Sequence, residues 1–245
     1  MKILVCITHV PDTTSRIAFS DNNSKFDTNG VQFIIGPYDD YALARAVEIK
    51  EAQQASVTVV CAGGPETEPT IRKALAIGAD DAIRINLIPT DSFQVATQLA
   101  AVIKDGGFDL VLMGRESIDH NGGVVHAMTA ELLNWPSVSP VMKLDIEGQR
   151  ATMVREIEGG KETVQCDLPL IAGCQEPIAE WKIPNMRGIM GARTKPLKVV
   201  EPSSNESRSQ VTRFELPPAK GAVKMIPADQ VSELVTRLKN EAKVL

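Results

Sequence analysis

"SFQVATQLAAVIKDGGFDLVLMG", residues 92–114, carries two different periods back to back. In its first part Phe93, Val95, Ala96, Leu99, Ala100 and Ile103 recur at helical spacing and make a wide apolar face, with Gln94, Gln98 and Lys104 pointing away. The closing "DLVLMG" (109–114) is a nearly unbroken apolar run, as expected of a strand covered on both faces. A helix that turns directly into such a strand is half of a βαβ unit, so this stretch predicts a parallel sheet packed against helices.

The alternation continues on both sides. Strand-like "KILVCIT" (2–8), "SVTVVCAG" (56–63) and "DAIRINL" (81–87) interleave with helix-like "YALARAVEIKEA" (41–52), "ETEPTIRKALAIG" (66–78) and "HAMTAELLN" (126–134). Residues 9–38 are too many for a simple crossover and include the turn-rich "SDNNSKFDTNG" (20–30). A polar loop of that size after the first strand stands where open parallel sheets place ligands.

Beyond Trp135-Pro136 the pattern becomes β. "ATMVREIEGGKETVQC" (151–166) reads as two strands turning at Gly159 and Gly160, with Val154, Ile157, Val164 and Cys166 on one buried face. Glu156, Glu158, Lys161 and Glu162 make its solvated face, and "LPLIAGC" (168–174) returns as a final core strand. From Glu176 onward Pro177, Pro184, Pro196, Pro202, Pro217 and Pro218 break every period, which divides the chain into a domain at 1–175 and an arm at 176–245. The arm holds a polar spacer, "PSSNESRSQ" (202–210), and an amphipathic helix within 227–245 presenting Val231, Leu234, Val235 and Leu238. Each buried Leu, Ile or Met is worth about 1.5–3 kcal/mol, so a partner surface is the expected cover for such an arm. Folding back over its own domain is the alternative.

Composition narrows the function. A net charge of −5 over 245 residues argues against a nucleic-acid reader. Four scattered cysteines without CxxC spacing suggest reduced core thiols and a cytoplasmic setting rather than a zinc site or disulfide framework. The opening "MKILVCITHV" already reads as a strand, so no leader is expected, and no apolar run of about 20 residues suggests membrane insertion.

Two stretches could carry function. In "LVLMGRESIDHNGGVVHAMTAELL" (110–133) a strand passes through a loop with Gly122 and Gly123 into a helix, whose free N–H groups favour a phosphate. The spacing matches neither GxGxxG nor a P-loop. His120 and His126 flank that loop without a nucleophile to activate, His9 stands near the ligand edge, and the three together lack metal-ligand spacing. Asp39 and Asp40 lie at a helix start, where the dipole favours acids without further function. The second stretch, "IPNMRGIMGARTKP" (183–196), mixes Ile183, Met186, Ile189 and Met190 with Arg187, Arg193 and Lys195 between two prolines, and suits neither a good helix nor a good strand.

"NMRGIMGARTKPL" (185–197) follows "VREIEGGKETVQCDLP" (154–169) and "DLVLMGRESID" (109–119). With "MKILVCITHVPDT" (1–13), "GPYDDYALARAVEIKE" (36–51) and "ALAIGADDAIRI" (74–85), these pieces resemble the β subunit of the electron-transfer flavoproteins along essentially the whole chain. The resemblance implies an α/β fold: a parallel-sheet, adenine-nucleotide-binding-like (Rossmann-like) domain with an added β-hairpin and an extended C-terminal arm ending in a helix. It implies a heterodimer whose α subunit holds most of an FAD site, with electrons passing from acyl-CoA or related dehydrogenases to a quinone oxidoreductase. Such a subunit is an electron carrier without catalytic turnover or catalytic residues of its own.

The resemblance carries over nucleotide contacts to Cys6, His9, Asp39, Cys61, Asp119, Asn121, Gly122, Gly123, Val124 and Val125. Many relatives hold AMP with a polar run where this chain has Val124, Val125 and His126, which leaves Asn121, Gly122, Gly123 and the backbone for a phosphate. The resemblance also makes 183–196 a recognition loop anchored by Met186, or by Ile183 in a second register, with Ile189, Met190, Arg193 and Lys195 around it. Thr13 replaces an aromatic residue that lies near the flavin in some relatives, and Gly191 and Thr194 replace basic ones. Two alternatives stand beside this reading: an electron-bifurcating relative with a second FAD, and a free-standing nucleotide-binding α/β module.

Overall fold

Near-continuous apolar runs in the central strands demand cover on both faces, and the chain supplies it. The computed structural model describes residues 1–203 and 206–245; Ser204 and Asn205 of the polar spacer lie outside the described residues. Its centre is a nine-stranded sheet in the order β11-β10-β9-β12-β8-β1-β6-β7-β13. The strands are β1 (Lys2–Cys6), β6 (Ser56–Ala62), β7 (Asp81–Ile85), β8 (Leu110–Gly114), β9 (Ser137–Glu147), β10 (Arg150–Ile157), β11 (Gly160–Asp167), β12 (Leu170–Cys174) and β13 (Leu197–Val200). From β9 to β13 every neighbour pairs in parallel, and only β9, β10 and β11 run antiparallel to one another. The α/β class with a mostly parallel sheet is therefore as the alternation predicted.

Alternate residues serve opposite cores, because successive strand side chains point to opposite faces. Ile3, Val5, Val59, Cys61 and Leu112 pack toward α1 (Pro37–Gln53) and α2 (Glu68–Ile77). Leu4, Cys6, Val60, Val111 and Met113 pack toward α3 (Ser92–Gly106) and α4 (Val125–Leu133). The long first connection folds into small pieces, with β2 (His9–Pro11) pairing β5 (Phe33–Ile35) and β3 (Phe19–Ser20) pairing β4 (Lys25–Phe26).

The structure departs from the sequence reading in several places. On α3, Gln94 and Gln98 do not face away: they are 4 % and 2 % exposed. Gln94 accepts hydrogen bonds from the N–H and hydroxyl of Thr90, and Gln98 from those of Ser203, so both amides are buried with partners. In the hairpin the buried face is carried by Ala151 and Met153, opposite Cys166 and Val164. Val154 pairs Thr163 on the other face, and Ile157 lies beyond the core at 41 % exposure. The turn is Glu158-Gly159, with Gly159 at φ +79° and Gly160 already paired in β11.

Residues 183–196 are not featureless. They form α5 (Met186–Ala192), started by Asn185, whose side chain accepts the Gly188 N–H at 2.9 Å. At Gly188 an added Cβ would lie 2.3 Å from the Ala76 carbonyl oxygen, so the missing side chain lets α5 sit directly on α2. The strand 170–174 is not the last in the sheet, because β13 continues the chain and pairs in parallel with β7. Farther on, α6 (Val231–Arg237) runs on into a π-helical turn at Leu238–Ala242, with Val231, Leu234 and Val235 exposed.

Candidate functional site

From β1 the chain moves outward to β6 and β7, then returns to the other side of β1 to form β8. Crossovers leave β1 in opposite directions, and the carboxyl ends of β1 and β8 part at this switch point. A cavity of about 490 Å³ opens there, lined by the loops that follow β1, β6, β7 and β8.

Its base is held by Asp39, in the first turn of α1 and 3 % exposed. One carboxylate oxygen accepts the Thr8 N–H at 2.8 Å and the Thr8 hydroxyl at 2.6 Å, while the other accepts the Gly114 N–H at 2.9 Å. Glycine is needed on both sides of this clasp: a Cβ at Gly36 or Gly114 would lie 2.5 or 2.6 Å from the carboxylate. Burial pushes the Asp39 carboxyl up to about 6, against the hydrogen bonds from Thr8 and Gly114. Beside it the Cys6 thiol is also raised, first by burial and then by the Asp39 charge, which makes it an inert lining group.

Around the mouth the lining is acidic, with Glu66, Asp91, Glu116 and Asp119, and Arg115 is its guanidinium. Arg115 lies 3.6 Å from Glu116, donates to Gln175 at 2.8 Å and stands over the Tyr38 ring. His9 stacks on Phe33 at 4.3 Å and shares a 2.8 Å hydrogen bond with the Thr70 hydroxyl. Burial lowers its pKa, opposed by Glu66. His126 is lowered by burial too, against the Gly123 backbone. A neutral imidazole has one donor and one acceptor nitrogen, and at His9 one of the two is already engaged by Thr70. Val124, which precedes α4, has no side-chain acceptor for the first-turn N–H groups of that helix. Those donors point where an anion is favoured.

A second surface lies on α2 and α5. Met186, Ile183 and Met190 are 73 %, 75 % and 68 % exposed, and Ile189 is partly exposed beside them. A hollow of about 520 Å³ next to them is lined by Arg72, Lys73, Pro184, Ile189 and Arg193. The segment is moored through its backbone: Arg72 donates to the carbonyls of Ala192 at 2.8 Å and Lys195 at 2.7 Å. Among the described residues no three His, Cys, Asp or Glu side chains gather to hold a metal, and no helix is long and apolar enough to cross a membrane.

A model of the electron transfer flavoprotein domain matches residues 24–205. The chain belongs to this family. It is similar along its entire length to electron transfer flavoprotein subunit beta of Bacillus subtilis, at 36 % identity and with all of that protein covered. The subunit beta of Syntrophomonas wolfei is 34 % identical, with 98 % of it covered. The human subunit beta is 29 % identical, with 99 % of it covered.

Of the nucleotide contacts that the electron transfer flavoprotein resemblance carried over, the structure brings Cys6, His9, Asp39, Asp119, Gly122 and Val125 to one cavity. Cys61, Asn121, Gly123 and Val124 stand outside its lining. Cys61 belongs to the opposite core, where burial raises its thiol to about 12. Gly122 uses its N–H on the Ser117 carbonyl at 3.2 Å, so that donor is spent on the loop itself. Asn121 takes a positive φ of 49° and is exposed.

Sequence reasoning passed over Thr8, Glu66, Asp91 and Arg115, and it set His120 and His126 aside, although all six line the cavity. The switch-point rule applied to all four strand-to-helix loops would have collected them. On the docking side Lys195 is placed otherwise than expected. Its ammonium donates to the carbonyls of Leu75 at 2.8 Å and Ala79 at 2.5 Å, closing the C-terminus of α2 rather than standing free beside Arg193.

Proposed function

We propose that this chain is the β subunit of a heterodimeric electron transfer flavoprotein. Its partner α subunit holds most of the FAD, and this chain completes the site. In this reading residues 1–175 form the nucleotide-binding-like domain, and 176–245 supply the recognition loop and an arm that embraces the α subunit. The observation that carries the reading is the end-to-end similarity to proteins named electron transfer flavoprotein subunit beta.

The switch-point cavity is assigned to an adenine nucleotide, AMP in the first instance. Its residues fit one: Glu66 and Asp119 offer acceptors for ribose hydroxyls and an exocyclic amine, His9 and His126 offer neutral imidazoles, and the uncapped start of α4 suits a phosphate. FAD, when bound, supplies all the redox chemistry. This chain binds, orients and excludes water, so it is a carrier subunit without its own turnover.

Met186 is the anchor offered to acyl-CoA or related dehydrogenases, with Ile183, Ile189 and Met190 around it and the Arg193 guanidinium steering acidic partners. Electrons leave to a quinone oxidoreductase, in a cytoplasmic route for fatty acid β-oxidation. Lys195 holds the loop in place rather than meeting the partner.

The test is co-purification with the α subunit and mass-spectrometric counting of released nucleotides. One FAD and one AMP per heterodimer, with the flavin reduced by a dehydrogenase and its substrate, is the expected result. A second FAD in place of AMP selects the electron-bifurcating alternative, and a colourless chain indifferent to any α subunit rejects the proposal.

A further inference from the structure

The tail contributes to the lining of the switch-point cavity and is fastened to the domain at two points. At the first, Asp91 divides its carboxylate between two tasks. One oxygen caps α3 by accepting the Gln94 N–H at 2.7 Å. The other accepts the backbone N–H groups of Arg208 at 2.5 Å and Ser209 at 2.7 Å. The Arg208 guanidinium lies 4.8 Å over the Phe93 ring, on the same helix. At the second, Phe214 stacks on Phe19 at 5.1 Å, and its N–H donates to the Asn23 carbonyl at 2.7 Å. Between these fastenings Ser209 and Val211 line the cavity itself.

We infer that residues 208–214 form a strap that retains the adenine nucleotide in the switch-point cavity, so that the nucleotide exchanges only after the strap lifts from Asp91 and Phe19. This rests on the adenine-nucleotide reading of the cavity. The strands and helices of the lining are locked into the sheet and its two cores, and opening them means unfolding the domain. The strap is held by hydrogen bonds and stacking at the surface, and segments of that kind open locally at a small fraction of the global cost. Exchange is then set by the fraction of time the strap is open. Hydrogen bonds to the ionised Asp91 are the stronger kind, which makes it the main fastening.

The co-purified heterodimer is loaded with radiolabelled AMP and chased with unlabelled AMP. Asp91→Asn keeps an oxygen to accept the Gln94 N–H and so preserves the helix cap. It also sets an amide donor against the two N–H donors of the strap. Release is expected to accelerate by about tenfold or more. Phe214→Ala, outside the cavity lining, loosens the other end and should accelerate release in the same direction. If wild type retains AMP and both variants release it at the wild-type rate, the strap is not the barrier and the inference is overturned. It is overturned equally if bound AMP leaves hydrogen exchange at the Arg208 and Ser209 amides unchanged. Wild type that binds no AMP at all removes the nucleotide reading, and the strap's role with it, a result distinct from unaltered release.

Discussion

The Asp39 carboxylate accepts the backbone N–H of Gly114, 75 positions along the chain, at 2.9 Å, while its other oxygen holds the N–H and hydroxyl of Thr8. One buried side chain therefore ties together the two strand ends whose separation opens the cavity. Asp39→Asn would turn an amide donor toward at least one of these donors. It should cost about 1–3 kcal/mol at neutral pH, read as a lower Tm. The pH dependence has a definite sign. A carboxyl raised to about 6 in the folded state stabilises fully below its unfolded value, and that contribution is lost as pH rises through about 6. Asp40, raised to about 6 by burial against the opposing charge of Lys73, acts in the same direction but is present in both proteins. The stability gap between wild type and variant should widen as pH falls from about 7 to about 4, and a constant gap would mean that Asp39 titrates normally.

Met186 is exposed and unneeded for the core, so Met186→Glu should leave folding and flavin content unchanged. Losing an apolar anchor worth about 1.5–3 kcal/mol should lower dehydrogenase coupling by roughly tenfold to a hundredfold. Steady-state reduction of the heterodimer by a dehydrogenase measures it. Undiminished coupling would move the anchor to Ile183.

Gly188 lies against the Ala76 carbonyl with no room for a Cβ. Gly188→Ala should push α5 off α2 and destabilise by about 1–3 kcal/mol. The accompanying sign is faster amide exchange across 186–195 with the central strands still protected. Arg72→Met, which deletes the guanidinium bonds to Ala192 and Lys195, should produce the same local pattern.

On α6, Val231, Leu234 and Val235 are exposed. Removing residues 227–245 should abolish co-purification with an α subunit while shifting the Tm of the isolated chain by no more than a few degrees, about 1 kcal/mol. A large fall in Tm would show that the helix serves its own domain.

Much of the fold was legible because the signals are local. Continuous apolar runs such as "DLVLMG" and the helical spacing from Phe93 to Ile103 report burial within a few residues of themselves. Polar positions misled for a related reason. Gln94 and Gln98 look solvent-facing by type, but a buried amide is acceptable once its partners arrive, and the partner of Gln98 is Ser203, 105 positions away. The hairpin face was misread because Val154 and Ile157 are apolar, whereas pairing register places Ala151 and Met153 inward.

The site divides in the same way. Cys6, His9, Asp39, Asp119, Gly122 and Val125 could be named from the chain, while Glu66, Asp91 and Arg115 carry no motif and become neighbours only when four loops meet. By itself the sequence determined the strand-helix alternation, the parallel sheet and the family likeness, since each is written in short-range period and composition. Only the tertiary structure decided that Asp39 clasps two strand ends, that Lys195 closes a helix, and that the tail adds β13 and brings Ser209 and Val211 to the cavity. Those relations depend on hydrogen-bond partners scores of positions apart, which no local pattern records.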